Sequence, residues 1–187
     1  MKKARFGTID QIGYLVSDLD QSIERWLTQL GVGPWMVFRN VTLQGHYLNQ
    51  PVTVTMNVGL AYQGDTQIEL IQATNNSASP YRDAQGQPIL GMHHVAWVVD
   101  DIDAAIKLMT VDGLQMVFEA SNPATRVAYF EDASEPGVRY EVIHGAGMRE
   151  MIQQGIAAAR DWDGTNPIHV IDAMSDATSD TTSAEHP

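Results

Sequence analysis

Cysteine is absent from the 187 residues, which excludes disulfides, thiolate metal sites and a thiol nucleophile. Basic residues are scarce: 11 Lys and Arg stand against 23 Asp and Glu, for a formal charge of −12. That balance repels the phosphates of nucleic acid and anionic membrane surfaces, and solubility is its simplest consequence. No apolar run approaches a membrane span. The N-terminal "MKKARFGTIDQIGYLV" is interrupted by polar residues where a signal peptide would be continuously apolar. The expectation is a soluble, cytoplasmic protein, built as one domain or as two small modules sharing a core.

What the chain does contain is a repeat of itself. "IDQIGYLVSDLDQSIERWLTQLGV" (9–32) aligns with "MHHVAWVVDDIDAAIKLMTVDGLQ" (92–115), setting Gln11 on His94, Gly13 on Ala96 and Asp18-Leu19-Asp20 on Asp101-Ile102-Asp103. Each copy opens as a β-rich run, reaches a serine or aspartate suited to capping a helix, and continues with apolar residues at helical spacing. Further on, "VGLAYQGDTQIELIQ" (58–72) aligns with "TRVAYFEDASEPGVRYEVIH" (125–144). Each of these ends in a strand with a glutamate between apolar neighbours, Glu69 and Glu141. Each unit therefore reads β-α-β-β-β. The assignment is a first module over 1–80, a linker over 81–90 and a second module over 91–146. A C-terminal helical extension over 147–171 and a disordered acidic tail over 172–187 follow. His186, alone in that tail, reads as a solvated histidine.

A strand turns successive side chains to opposite faces, so only one of the adjacent His93 and His94 is expected to point into a given cavity. His94, Ala96 and Val98 share one face; His93, Val95, Trp97 and Val99 share the bulkier one, suited to packing beneath a helix. His93 is accordingly expected to be a satisfied structural residue. The same parity sets Gln11, Gly13 and Leu15 together and turns Glu69 and Glu141 away from their apolar neighbours. Gln11, Glu69, His94 and Glu141 then line one concave surface. Two carboxylates, an amide oxygen and an imidazole form a mixed O/N set whose charge of −2 matches a divalent cation, whereas the same carboxylates unpaired would repel.

In order and spacing, "IDQIGYLVSDLD", "TQIELI", "GMHHVAWVVDDID" and "RYEVIH" resemble the strand motifs of the vicinal oxygen chelate superfamily. That superfamily includes glyoxalase I, methylmalonyl-CoA epimerase, extradiol dioxygenases and bleomycin-resistance proteins. The resemblance covers about residues 7–144. It implies an α+β fold in which two βαβββ modules form a curved mixed sheet with a concave metal-binding cavity. It also implies that the first and last strands of each module each give one ligand, here Gln11, Glu69, His94 and Glu141, to a divalent ion (Zn, Ni, Co, Mn, Mg or Fe). The Gln/Glu/His/Glu set resembles that of eukaryotic-type glyoxalase I. Glutathione-using members, however, carry an arginine, an asparagine and an arginine where this chain has Leu15, Ala73 and Leu90.

The implied chemistry is α-proton abstraction next to a carbonyl by a metal-dependent isomerase, epimerase or lyase. Glu141 would be ligand and base, and Glu69 ligand and second base. An extradiol-type Fe(II) dioxygenase and a non-catalytic small-molecule-binding protein of the bleomycin-resistance type are the alternatives. Leu15, Ile71, Val98 and Ile143 are expected to surround an apolar substrate, with Arg139 holding an anion on it. Tyr62 and Tyr129 are read as packing residues and Trp35–Phe38 as a lid. The helix at 147–162, with apolar surface left to bury, points to a homodimer.

Overall fold

The computed structural model of the chain describes residues 4–135 and 137–172. The expected tail and His186 lie outside the described residues, except for Asp172, which ends a strand. Both modules have the expected order. The first is β1 (Gln11–Leu15), α1 (Leu19–Leu30), β2 (Trp35–Tyr47), β3 (Gln50–Gln63) and β4 (Thr66–Ala73). The second is β5 (Gly91–Val98), α2 (Ile102–Val111), β6 (Gln115–Ser121), β7 (Arg126–Glu131) and β8 (Arg139–His144). The extension supplies α3 (Met148–Asp161) and an additional strand, β9 (Ile168–Asp172). Among the described residues no helix is long and apolar enough to cross a membrane.

The repeated aspartates start the two helices. Asp18 accepts a hydrogen bond from the Gln21 amide and Asp101 from the Ala104 amide, each at 2.9 Å. Gly31, with φ at 66°, ends α1 in the left-handed conformation. Leu19 and Ile23 of α1 pack with Trp35, Val37, Ala61, Ile68 and Leu70, while Ile102, Ala105 and Met109 of α2 pack with Ala128, Phe130 and Val142. The helices thus cover the outer faces of the sheet, and each fully buried Leu or Ile contributes about 1.5–3 kcal/mol.

The sheet runs β3-β4-β1-β5-β8-β7-β6-β2-β9, and β2 also pairs with β3, so eight strands close into a ring. Length makes this possible. Along a single edge, β2 offers Trp35–Arg39 to β9 and Gln44–Tyr47 to β6, while its other edge pairs with β3. Module one meets module two across antiparallel β1 and β5. Trp35–Phe38 is therefore not a lid: it begins β2, with Trp35 and Val37 buried beneath α1.

The apolar stripe of α3 is spent within the chain. Ile152 and Ile156 are buried in the same interior cluster as Leu15, Val98 and Ile143, and Met148 packs against it. Arg149 ties the helix down, bonding Asp10 Oδ1 at 2.6 Å and the Val98 carbonyl. The apolar surface from which a homodimer was expected is thereby covered, and that argument for a dimer falls away.

Candidate metal centre

Inside the ring, Gln11, Glu69, His94 and Glu141 come together from β1, β4, β5 and β8. Register explains the convergence. Gly13 of β1 lies beside Glu69 on one side and His94 on the other, and Ala96 pairs with Glu141. His94 Nε2 is 3.2 Å from Gln11 Oε1, 3.2 Å from Glu69 Oε2 and 2.9 Å from Glu141 Oε2. His94 and Glu141 are buried, as is Gln11; only Glu69 is partly exposed.

Three oxygens thus surround one ring nitrogen. A single N–H cannot serve three acceptors, and Glu141 Oε2 is left without a hydrogen bond among the described residues. Ligand atoms of Glu69, His94 and Glu141 all lie within 4.8 Å of one another. An orphaned buried oxygen in a cluster of three oxygens and one imidazole fits a divalent cation better than it fits a proton.

The surrounding residues hold the donors in place. Gln11 Nε2 donates to Gln67 Oε1 (2.7 Å) and Gln67 Nε2 to the Tyr62 hydroxyl (2.5 Å), so the Gln11 carbonyl oxygen is the atom turned to His94. The Tyr129 ring stacks on His94 with centroids 5.3 Å apart, and its hydroxyl lies 3.3 Å from that of Tyr81. Tyr62 and Tyr129 therefore do more than fill the core. Tyr81 belongs to the intermodule segment, where no periodicity marked it. Gln67 could have been found from sequence, since it shares strand parity with Glu69.

Gly13 is required by contact. A Cβ built there would fall 2.0 Å from His94 Cε1. Gly13→Ala is expected to destabilise the protein by about 1–3 kcal/mol, the usual cost of overpacking, and to weaken metal uptake by displacing the ring. Urea unfolding and metal titration of the variant check this; wild-type values in both would refute the contact.

His93 is where the structure departs from parity. β5 carries an irregularity opposite β1: Gly13 pairs with His94 but Tyr14 with Met92, leaving His93 as the extra residue. It is not beneath a helix. Its ring lies inside, 5.3 Å from those of Tyr81 and His94 and 5.6 Å from that of Tyr129. Its polar atoms are satisfied, by the Pro80 carbonyl and by His94.

Charge in the cluster is shared. Burial opposes protonation of His94, but Glu141 and Glu69 outweigh it and carry its pKa up to about 10. Burial raises that of Glu141, against the pull of His94, with Glu69 adding repulsion. His93 is pushed well down by burial and by His94, and stays neutral. Both raised groups hold a proton more tightly folded than unfolded. Their stabilisation is therefore complete at low pH, and the His94 part is lost as pH climbs from about 6.5 to about 10. Metal-free protein is expected to lose thermal stability over that range. With zinc bound in place of the proton, the slope should flatten. Melting curves with chelator and with zinc test this, and a flat metal-free profile would exclude the shared proton.

Leu15, Ile71, Val98 and Ile143 are buried within the same interior cluster. Arg139 sits beside His94 in the β5–β8 register, and its Nε lies 2.8 Å from Glu131 Oε1, so its charge is already partnered.

A profile of the family described as the Glyoxalase/Bleomycin resistance protein/Dioxygenase superfamily matches residues 10–130. No curated protein matches the chain. Among solved structures, the chain is similar to methylmalonyl-CoA epimerase from Mycobacterium tuberculosis, at 19% identity and a TM-score of 0.53, covering 81% of this chain and 96% of that one. It is similar also to a variant of the Streptomyces coelicolor methylmalonyl-CoA epimerase in complex with 2-nitronate-propionyl-CoA, at 21% identity and a TM-score of 0.50. There the coverage is 74% of this chain and 94% of that one. The two likenesses are of fold.

Proposed function

Since the chain belongs to the glyoxalase, bleomycin resistance protein and dioxygenase superfamily, we propose that it is a metal-dependent enzyme that moves a proton on a carbon next to a carbonyl. In class it is an isomerase, epimerase or lyase. The carrying observation is the buried ring of three oxygens about His94 Nε2. Gln11, Glu69, His94 and Glu141 would hold the ion, which when bound would supply Lewis acidity to adjacent substrate oxygens.

Glu141 takes the α-proton. Burial raises its pKa toward the working pH of a general base. Glu69, the partly exposed carboxylate of the same cluster, returns the proton to a neighbouring position. The tyrosines and the aliphatic interior keep competing water out.

The donor set speaks against an extradiol-type site, which needs two histidines and one carboxylate. Here His93, the only other histidine in the cluster among the described residues, has both nitrogens engaged. Neighbours named for methylmalonyl-CoA make acyl-CoA thioesters the first substrates to try. The test is elemental analysis followed by incubation with 2-keto acids and thioesters in deuterated water. One divalent ion per chain and oxygen-independent deuterium uptake at the α-carbon are expected. A metal-free protein after metal-supplemented expression would favour a binding module instead, and dioxygen consumption would favour the dioxygenase.

A further inference from the structure

The irregularity in β5 that turns His93 inward places it between the chain linking the modules and the histidine of the metal centre. His93 Nε2 is 2.9 Å from the carbonyl of Pro80, and His93 Nδ1 is 3.0 Å from His94 Nδ1. Both rings are almost wholly inaccessible to solvent. A carbonyl can only accept, so the proton of neutral His93 resides on Nε2 and its Nδ1 is an acceptor. His94 Nδ1 must then be the donor. That leaves the lone pair of neutral His94 on Nε2, the nitrogen aimed at Gln11, Glu69 and Glu141.

We propose that His93 is the positioning residue of the metal centre, fixing the tautomer and orientation of His94 through a relay anchored on the Pro80 carbonyl. The inference rests on the metal reading above. Its structural logic is that of outer-shell partners generally, which hold a ligating imidazole by its second nitrogen. Its particular consequence is a link between modules: the segment carrying Pro80 and Tyr81 seats against the metal centre. Tyr81 packs on His93 and meets Tyr129, which in turn stacks on His94. Metal uptake and the seating of this segment should therefore favour one another.

Zinc affinity of the full chain, measured by competition with a chromophoric chelator, tests the relay. His93→Phe keeps the aromatic volume and removes both nitrogens, and is expected to weaken zinc binding about 10–100-fold. His93→Asn restores an acceptor near the position of Nδ1 and should recover most of that loss. In the cobalt-loaded wild type, the His94 Nδ1 proton should give one paramagnetically shifted N–H resonance, the signature of coordination through Nε2 with Nδ1 donating to His93. A folded His93→Phe protein with wild-type zinc affinity would overturn the relay while leaving the metal centre standing. Absence of that resonance would overturn it even if the variants fail to fold. A wild type that takes up no zinc would remove both the metal centre and the relay.

Discussion

Replacing His94 with alanine is expected to abolish stoichiometric metal binding, taking the zinc content of protein purified from supplemented medium from about one ion per chain to near zero. Nε2 of this residue is the point on which the other donors converge, at 2.9–3.2 Å. Losing it removes a ligand outright, so the effect should exceed the roughly 10–100-fold loss that outer-shell substitutions cost. The metal-free fold should suffer too. Glu141 is fully buried, and His94 is the group that draws it toward its charged form. Removing one member of a buried charge pair typically costs about 3–5 kcal/mol, less here to the extent that Glu141 takes up a proton. Elemental analysis and urea unfolding read the two effects separately. A His94→Ala protein retaining one ion per chain would show that the convergence of these four residues is not a metal centre.

That these four residues share one surface was legible because strand parity is a two-state code and three of the four strands obey it without interruption. Gln11 with Gly13 and Leu15, Glu69 with Ile71, and Glu141 with Ile143 each share a face in sequence and in structure. The repeat then allowed each half to check the other. Parity failed one residue away from its best result. The irregularity in β5 inserts His93 as an extra residue with no glycine at that position to announce it, so both histidines point inward. Long-range closure was invisible for a different reason. That β2 and β3 run to 13 and 14 residues and complete a ring depends on pairing partners far apart in sequence, not on local pattern. Likewise, the apolar stripe of α3 showed that something must cover it, but could not say that the covering surface was the chain's own interior. Tyr81 lay in a polar, proline-containing stretch with no period at all, and only tertiary packing reveals it.

Substituting Glu141 with glutamine should separate binding the metal from moving the proton. The amide keeps an oxygen where Glu141 Oε2 now stands, 2.9 Å from His94 Nε2, so the ion is expected to remain. What disappears is a carboxylate whose burial raises its pKa toward that of an effective base. A positioned base is usually worth about 10²–10⁴ in rate, and α-deuterium incorporation from heavy water should fall by at least about 10²-fold at unchanged zinc content. Loss of one negative charge also leaves His94 with less to hold its extra proton, so metal uptake by the variant should depend less steeply on pH between about 6.5 and 10. Glu69→Gln supplies the comparison. Glu69 is the partly exposed carboxylate of the cluster, and as second base its loss should slow return of the proton more than its removal. The two variants therefore need to be assayed for exchange and for net conversion side by side. Exchange that survives Glu141→Gln but vanishes with Glu69→Gln would reverse the two roles, making the partly exposed carboxylate the group that meets the substrate.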